Sequence, residues 1–182
     1  MTSLAQQQMS VHGSIVVVGE AGILARGPSG AGKSRFAQAL IAEGIMRGLF
    51  ARLVADDRVS LTRQAGRLVA HPPAGIVGLI EERGSGLLET LYERAVIVRI
   101  LVDLGASGVP RMPTEEDLSD GIAGVVLPRL RLDRSVPPVE GARRVVDKLA
   151  GFQHAAGFTC QTPRIAQYGA LFGAGRSSSA TR

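Results

Sequence analysis

The segment Gly27-Pro28-Ser29-Gly30-Ala31-Gly32-Lys33-Ser34 has the spacing G-x-x-x-x-G-K-[ST] of a phosphate-binding loop. Each residue type has a physical reason to be there. Glycines let the backbone curl until successive N–H groups point inward at a polyphosphate. A helix starting at the end of the loop adds its positive N-terminal pole. Lys33 could reach the β- and γ-phosphates of a nucleotide, and the Ser34 hydroxyl could join the oxygen shell of a Mg²⁺ ion. A glycine-rich turn with no ligand is the plain alternative. Against it stands the scarcity of lysine: the chain has only Lys33 and Lys148, beside nineteen arginines, and one of the two falls on this position.

A phosphate loop needs something to activate the attacking group. Asp56 and Asp57 follow the short apolar run Leu53-Val54-Ala55, where a strand would end and a site could open. One carboxylate could hold Mg²⁺ while the other takes a proton from a hydroxyl being phosphorylated. Alone, the pair would read as a solvated acidic turn or an ion pair to Arg58; with the loop upstream, the site reading leads. Glu81-Glu82-Arg83-Gly84-Ser85-Gly86 is a third candidate, in which a glutamate could complete a metal shell. Other candidates are weaker. His71 and His154 have no partner at metal-ligand spacing, and Cys160 reads as a packed or exposed thiol. Glu115-Glu116-Asp117 reads as a solvated helix start, and Ser29 sits in the phosphate loop rather than in a nucleophile elbow.

The elements that must position these groups follow from hydrophobic pattern and turn residues. Residues 1–11 read as a loose lead-in. Residues 14–18 (SIVVV) and 23–26 are short strands around a glycine-bounded turn, which is a hairpin. Residues 33–43 carry Phe36, Ala37, Leu40 and Ile41 at helical spacing, with Gly44 as a stop. Residues 52–55 form a strand, and 59–62 with 67–70 a second hairpin about Gln64-Ala65-Gly66. Residues 75–82 are open between helix and loop. Residues 95–103 (AVIVRILVD) read as a central strand, 105–116 as a loop, 125–132 as a strand and 141–153 as a helix. The fold class is α/β, with one domain over 1–172 and a small, polar, disordered tail over 173–182.

Composition narrows the function classes. The chain has 182 residues, 45% hydrophobic and 20% charged, with a net charge of +5, which is the profile of a globular domain. No apolar run approaches the roughly 20 residues that span a bilayer, so a cytoplasmic protein without membrane contact is expected. Two tyrosines, five phenylalanines, no tryptophan and no basic run give nucleic-acid binding no support. A single cysteine allows no internal disulfide.

In order along the chain, these pieces resemble the HPr kinase/phosphorylases, which phosphorylate a serine of the phosphocarrier protein HPr. The resemblance rests on His12-Gly13 opening a hydrophobic strand, GPSGAGKS at 27–34, LVADDRV at 53–59 and EERGSG at 81–86. It implies a phosphate-loop kinase domain related to phosphoenolpyruvate carboxykinases, with a mixed sheet and flanking helices. It implies ATP and Mg²⁺, an HPr-like carrier as acceptor and a homohexameric assembly. The roles it implies are phosphate binding by Lys33, metal contact by Ser34 and Glu81, and proton acceptance by Asp57 with Asp56 beside it. His12 becomes a further active-site residue, and Arg111 the counterpart of a family arginine.

Several features depart from the family. Its usual N-terminal domain has no counterpart before residue 12, and extra residues lie around 44–52. Arg35 stands where glutamate is usual. The R-P-G-R-N-like segment linked to dephosphorylation is replaced by Leu127-Pro128-Arg129-Leu130-Arg131-Leu132. A short form acting only as a kinase is therefore expected. The competing readings are a phosphate-loop kinase of a small metabolite and a non-catalytic ATP-binding regulator.

Overall fold

The computed structural model describes residues 8–155 apart from 76, 83 and 85. Arg83, Ser85, Cys160 and the tail expected over 173–182 lie outside the described residues, as does the side chain of His154. The chain order is β1 (Gln8–Val18), β2 (Ala21–Arg26), α1 (Lys33–Met46), β3 (Ala51–Ala55), β4 (Arg58–Gln64), β5 (Arg67–His71), β6 (Leu79–Glu82), β7 (Gly86–Glu89), β8 (Val96–Ala106), β9 (Ser119–Ile122), β10 (Val125–Asp133) and α2 (Pro138–Ala155).

Two long strands serve two layers each. The first part of β1 pairs antiparallel with β4, from Gln8 opposite Thr62 to His12 opposite Arg58. The second part turns to β2 and β3. Likewise β8 meets β5 at Val96 and Ile97, then runs parallel to β2 on one side and β10 on the other. Parallel and antiparallel neighbours in one sheet make it mixed, as expected. Helices α1 and α2 pack on one face over Val16, Ile23, Ile100 and Val102. The β4–β5 hairpin covers the other face over Ile15, Leu24, Val54 and Leu101. Covering both faces explains the unbroken Ile15–Val18 run, because a strand exposed on neither side has no polar positions to alternate.

Three expectations change. The lead-in becomes strand from Gln8 onward, because its backbone pairs with β4. Helix α1 passes through Gly44, which is buried; a Cβ there would lie 2.8 Å from the Ala51 Cβ, so the glycine lets the helix approach β3. The real stop is Gly48 at φ 71, where Leu49 N–H donates to the Gly44 carbonyl and Gly48 N–H to that of Ile45. Residues 75–82 are neither helix nor plain loop: β6 forms a hairpin with β7. The flanking helices share one face of the sheet.

Candidate active site

The glycine-rich loop at 27–34 lies between the end of β2 and the first turn of α1. Gly27, Gly30 and Gly32 adopt φ of 155°, 77° and 86°, conformations that side-chain-bearing residues avoid. At Gly27 there is also no space, since a Cβ would meet the Leu104 carbonyl oxygen at 2.6 Å. Gly32 caps α1 without a side-chain acceptor, and the first turn contains no acidic residue. The first-turn N–H groups therefore retain their positive pole for an anion. Lys33 is 7% exposed, and its Nζ donates to the carbonyls of Gly27 and Pro28 at 3.2 and 3.1 Å. Pro28 also accepts from Ala31 N–H, which closes the curl.

Beside the loop opens a cleft of about 260 Å³. Ser29, Gly30, Gly32, Lys33 and Ser34 form one wall, extended along α1 by Arg35 and Gln38. His12, Asp56, Asp57 and Glu81 close the other. The middle of β1, the β3–β4 turn and β6 thus bring an imidazole and three carboxylates to the glycine-rich loop.

The two aspartates differ in kind. Asp57 sits in a tight turn between β3 and β4, at φ 66, with Arg58 N–H donating to the Asp56 carbonyl at 2.8 Å. Positive φ is uncommon for a side-chain-bearing residue, although Asp tolerates it better than most. The turn is held from β1, where Gly13 N–H donates to the Asp57 carbonyl at 3.2 Å. His12 Nδ1 lies 2.9 Å from the same carbonyl and 3.1 Å from Asp57 Oδ1. Both neighbours can only accept from it, so Nδ1 carries the proton. The Asp57 side chain is 70% exposed into the cleft mouth. Asp56, by contrast, is 8% exposed, and both its carboxylate oxygens are engaged. Ser14 Oγ donates to Oδ1, and Glu81 N–H donates to Oδ2 at 3.3 Å.

Ser14 is the residue that sequence reasoning passed over. It is the lone polar side chain opening the buried run of β1, and that position was the available signal. Gly27, Pro28 and Ala31 shape the loop from behind without lining the cleft. Arg111 is not brought to the cleft: it is exposed in the 107–118 connection between β8 and β9, which contributes no cleft-lining residue. Arg35 does line it, which places a cation where relatives are expected to carry glutamate.

The donor set suits a hard cation that shares its shell with phosphate. Among the described residues, no three His, Cys, Asp or Glu side chains converge closely enough to cage a metal. Magnesium commonly takes one or two protein oxygens and completes its shell with phosphate and water, so a hydroxyl and a carboxylate at a phosphate loop fit it.

The family described as HPr Serine kinase C-terminal domain matches residues 2–98, more than half of the chain. Among curated proteins, an HPr kinase/phosphorylase of Enterococcus faecalis is 34% identical over 148 residues, covering 75% of this chain and 44% of that protein. One of Clostridium beijerinckii is 40% identical over 91 residues, covering 49% and 28%. The chain thus spans less than half the length of these relatives. The solved Hpr(Ser) kinase/phosphatase of Coxiella burnetii superposes with a TM-score of 0.65 over 80% of this chain and 99% of that one, at 22% identity, which shows a shared fold. No helix among the described residues is long and apolar enough to cross a membrane. The motifs, the mixed sheet and these matches agree, and the chain belongs to the HPr serine kinase C-terminal domain family.

Proposed function

We propose that this protein is an ATP- and Mg²⁺-dependent kinase that phosphorylates a serine of an HPr-like phosphocarrier. The carrying observation is the convergence of the Lys33 loop with Asp57, His12 and Glu81 in one cleft. In this reading residues 1–172 form a phosphate-loop kinase domain of the phosphoenolpyruvate carboxykinase type. The protein works in the cytoplasm as a homohexamer.

Catalysis is then positioning and charge stabilisation. Loop N–H groups and the α1 N-terminus hold the β- and γ-phosphates. Lys33 leaves the Gly27 and Pro28 carbonyls to contact them. Asp57, exposed at the mouth, accepts the proton of the acceptor serine hydroxyl as the serine oxygen bonds to the γ-phosphorus. The bond from that phosphorus to the β,γ-bridging oxygen breaks, so that ADP leaves with the bridging oxygen. His12 orients the Asp57 turn through Nδ1. Asp56 is engaged on both oxygens, so it holds the wall rather than the proton. Ser34 and Glu81 would hold Mg²⁺, which supplies neutralisation of the phosphate charge. An open cleft suits a protein acceptor.

Kinase activity alone is proposed. Within 127–132, Arg129 is paired with Asp103 and Arg131 with Asp117, so both guanidiniums already have a carboxylate partner of their own. The test is phosphate transfer from Mg²⁺-ATP to an HPr-like carrier, with phosphoserine read by mass spectrometry. Asp57→Asn should lower the rate by about 10²–10⁴-fold, the range of a positioned base, with ATP binding retained. Transfer at the wild-type rate in that variant refutes the assignment of the base. No transfer by the wild type refutes the kinase reading for that carrier.

A further inference from the structure

Strands β2, β8, β10 and β9 lie side by side, and a row of charges crosses them beside the phosphate loop. Arg26 is the last residue of β2, opposite Gly13 on one side and Asp103 on the other. Its Nε and Nη2 both lie 2.8 Å from Asp103 Oδ1, and Nη2 lies 2.7 Å from Asp120 Oδ2 on β9. Arg129 Nε, from β10, takes the other Asp103 oxygen at 2.5 Å. Two guanidiniums and two carboxylates are thus matched, each between 16% and 35% exposed.

The position matters more than the charge count. The next residue is Gly27, whose Cα packs against the Leu104 carbonyl so closely that no Cβ fits, and whose own carbonyl accepts from Lys33 Nζ. A sideways shift of Arg26 therefore displaces the first peptide of the loop and the lysine bonded to it. We infer that Arg26, gripped by Asp103 and Asp120, is a positioning residue that fixes where β2 gives way to the phosphate loop, and so tunes nucleotide affinity. This rests on the nucleotide-binding part of the proposed function. Arg26 is well suited to the task, because a planar fork can bridge two carboxylates where an ammonium cannot. Burial opposes the Arg26 charge, and its hydrogen bonds to Asp120 and Asp103 more than offset that, raising its pKa. The Arg26 hydrogen bond, working against partial burial, holds the Asp120 carboxyl below its ordinary range.

The test is calorimetric titration of the full chain with ADP and Mg²⁺, at a temperature where each variant is folded by circular dichroism. Arg26→Gln should weaken ADP binding about tenfold, the equivalent of one charge-assisted hydrogen bond. Asp120→Ala, which removes one of the two anchors, should weaken it about threefold, and Arg26→Lys should recover part of the Arg26→Gln loss. A purely structural ion pair would lower the melting temperature and leave the Kd of folded protein alone. Folded Arg26→Gln with a Kd within about twofold of wild type overturns the inference. If that variant does not fold, an unchanged Kd in Asp120→Ala overturns it instead. Wild-type protein that fails to bind ADP overturns the kinase reading together with this inference, whereas an unchanged variant overturns the inference alone.

Discussion

Replacing Ser14 by alanine removes a single oxygen from the centre of the site. Ser14 is 1% exposed and donates to the Asp56 carboxylate, itself 8% exposed, which also accepts Glu81 N–H. A hydrogen bond to a charged group contributes about 1.5–3 kcal/mol, and the substitution leaves a largely buried carboxylate oxygen without its donor. Ser14→Ala should therefore destabilise the fold by about 2 kcal/mol, which for a domain of this size lowers Tm by roughly 4–8 °C. The assay is urea denaturation at pH 7 in a four-member cycle with Asp56→Asn. In the Asp56→Asn background the serine deletion should lose most of its effect, with a coupling of about 1–2 kcal/mol. A loss below about 0.5 kcal/mol, or strictly additive single effects, would refute the view that Asp56 pins β1, β3 and β6 together.

Two further outcomes follow from packing and charge. Gly44→Ala should destabilise by about 1–3 kcal/mol in chemical melts despite alanine's better helix propensity, because its methyl would lie 2.8 Å from Ala51 Cβ. The Thr114 N–H and hydroxyl, with Arg131, hold Asp117 below the usual carboxylate range, as the Arg26 bond holds Asp120 and the Ser135 backbone holds Asp133. Groups with depressed folded pKa stabilise above the unfolded value, about 3.9, and lose that contribution as pH falls through the folded values. Stability should therefore be level from neutral pH to about pH 5 and decline below about pH 4, less steeply in Asp120→Asn, as read by Tm against pH.

Much of the site was legible because its signals are local. The loop at 27–34 is built on glycines whose φ values only glycine adopts freely, and their spacing marks them in the sequence. The Asp56-Asp57 pair and Glu81 were also visible, as residue types at an expected strand end and in a glycine-rich segment. What could not be read was the difference between the two aspartates, since only the distant Ser14 and Glu81 backbone bury one while the turn at φ 66 exposes the other. Gly44 misled for a similar reason: its backbone suits a stop, yet its missing Cβ serves contact with β3. The true stop at Gly48 carried a readable signal. β6 was lost to a weak, short pattern, and Arg111 lies away from the cleft on a connection that contributes no residue to it.

The parallel pairing of β2 with β8 also has a consequence for how the protein is made. Gly22–Arg26 pairs with β1 on one edge but finds the partner for its other edge in Val98–Asp103, far along the chain. On a ribosome the β1–β2 hairpin and α1 can form early from near neighbours, yet the strand bearing the loop lacks its second edge until β8 has emerged and docked. Such long-separated pairings are closed late and slowly. Under the proposed function, competence to bind a nucleotide is then acquired near the end of folding, and a nascent chain with every loop residue already synthesised does not yet sequester ATP.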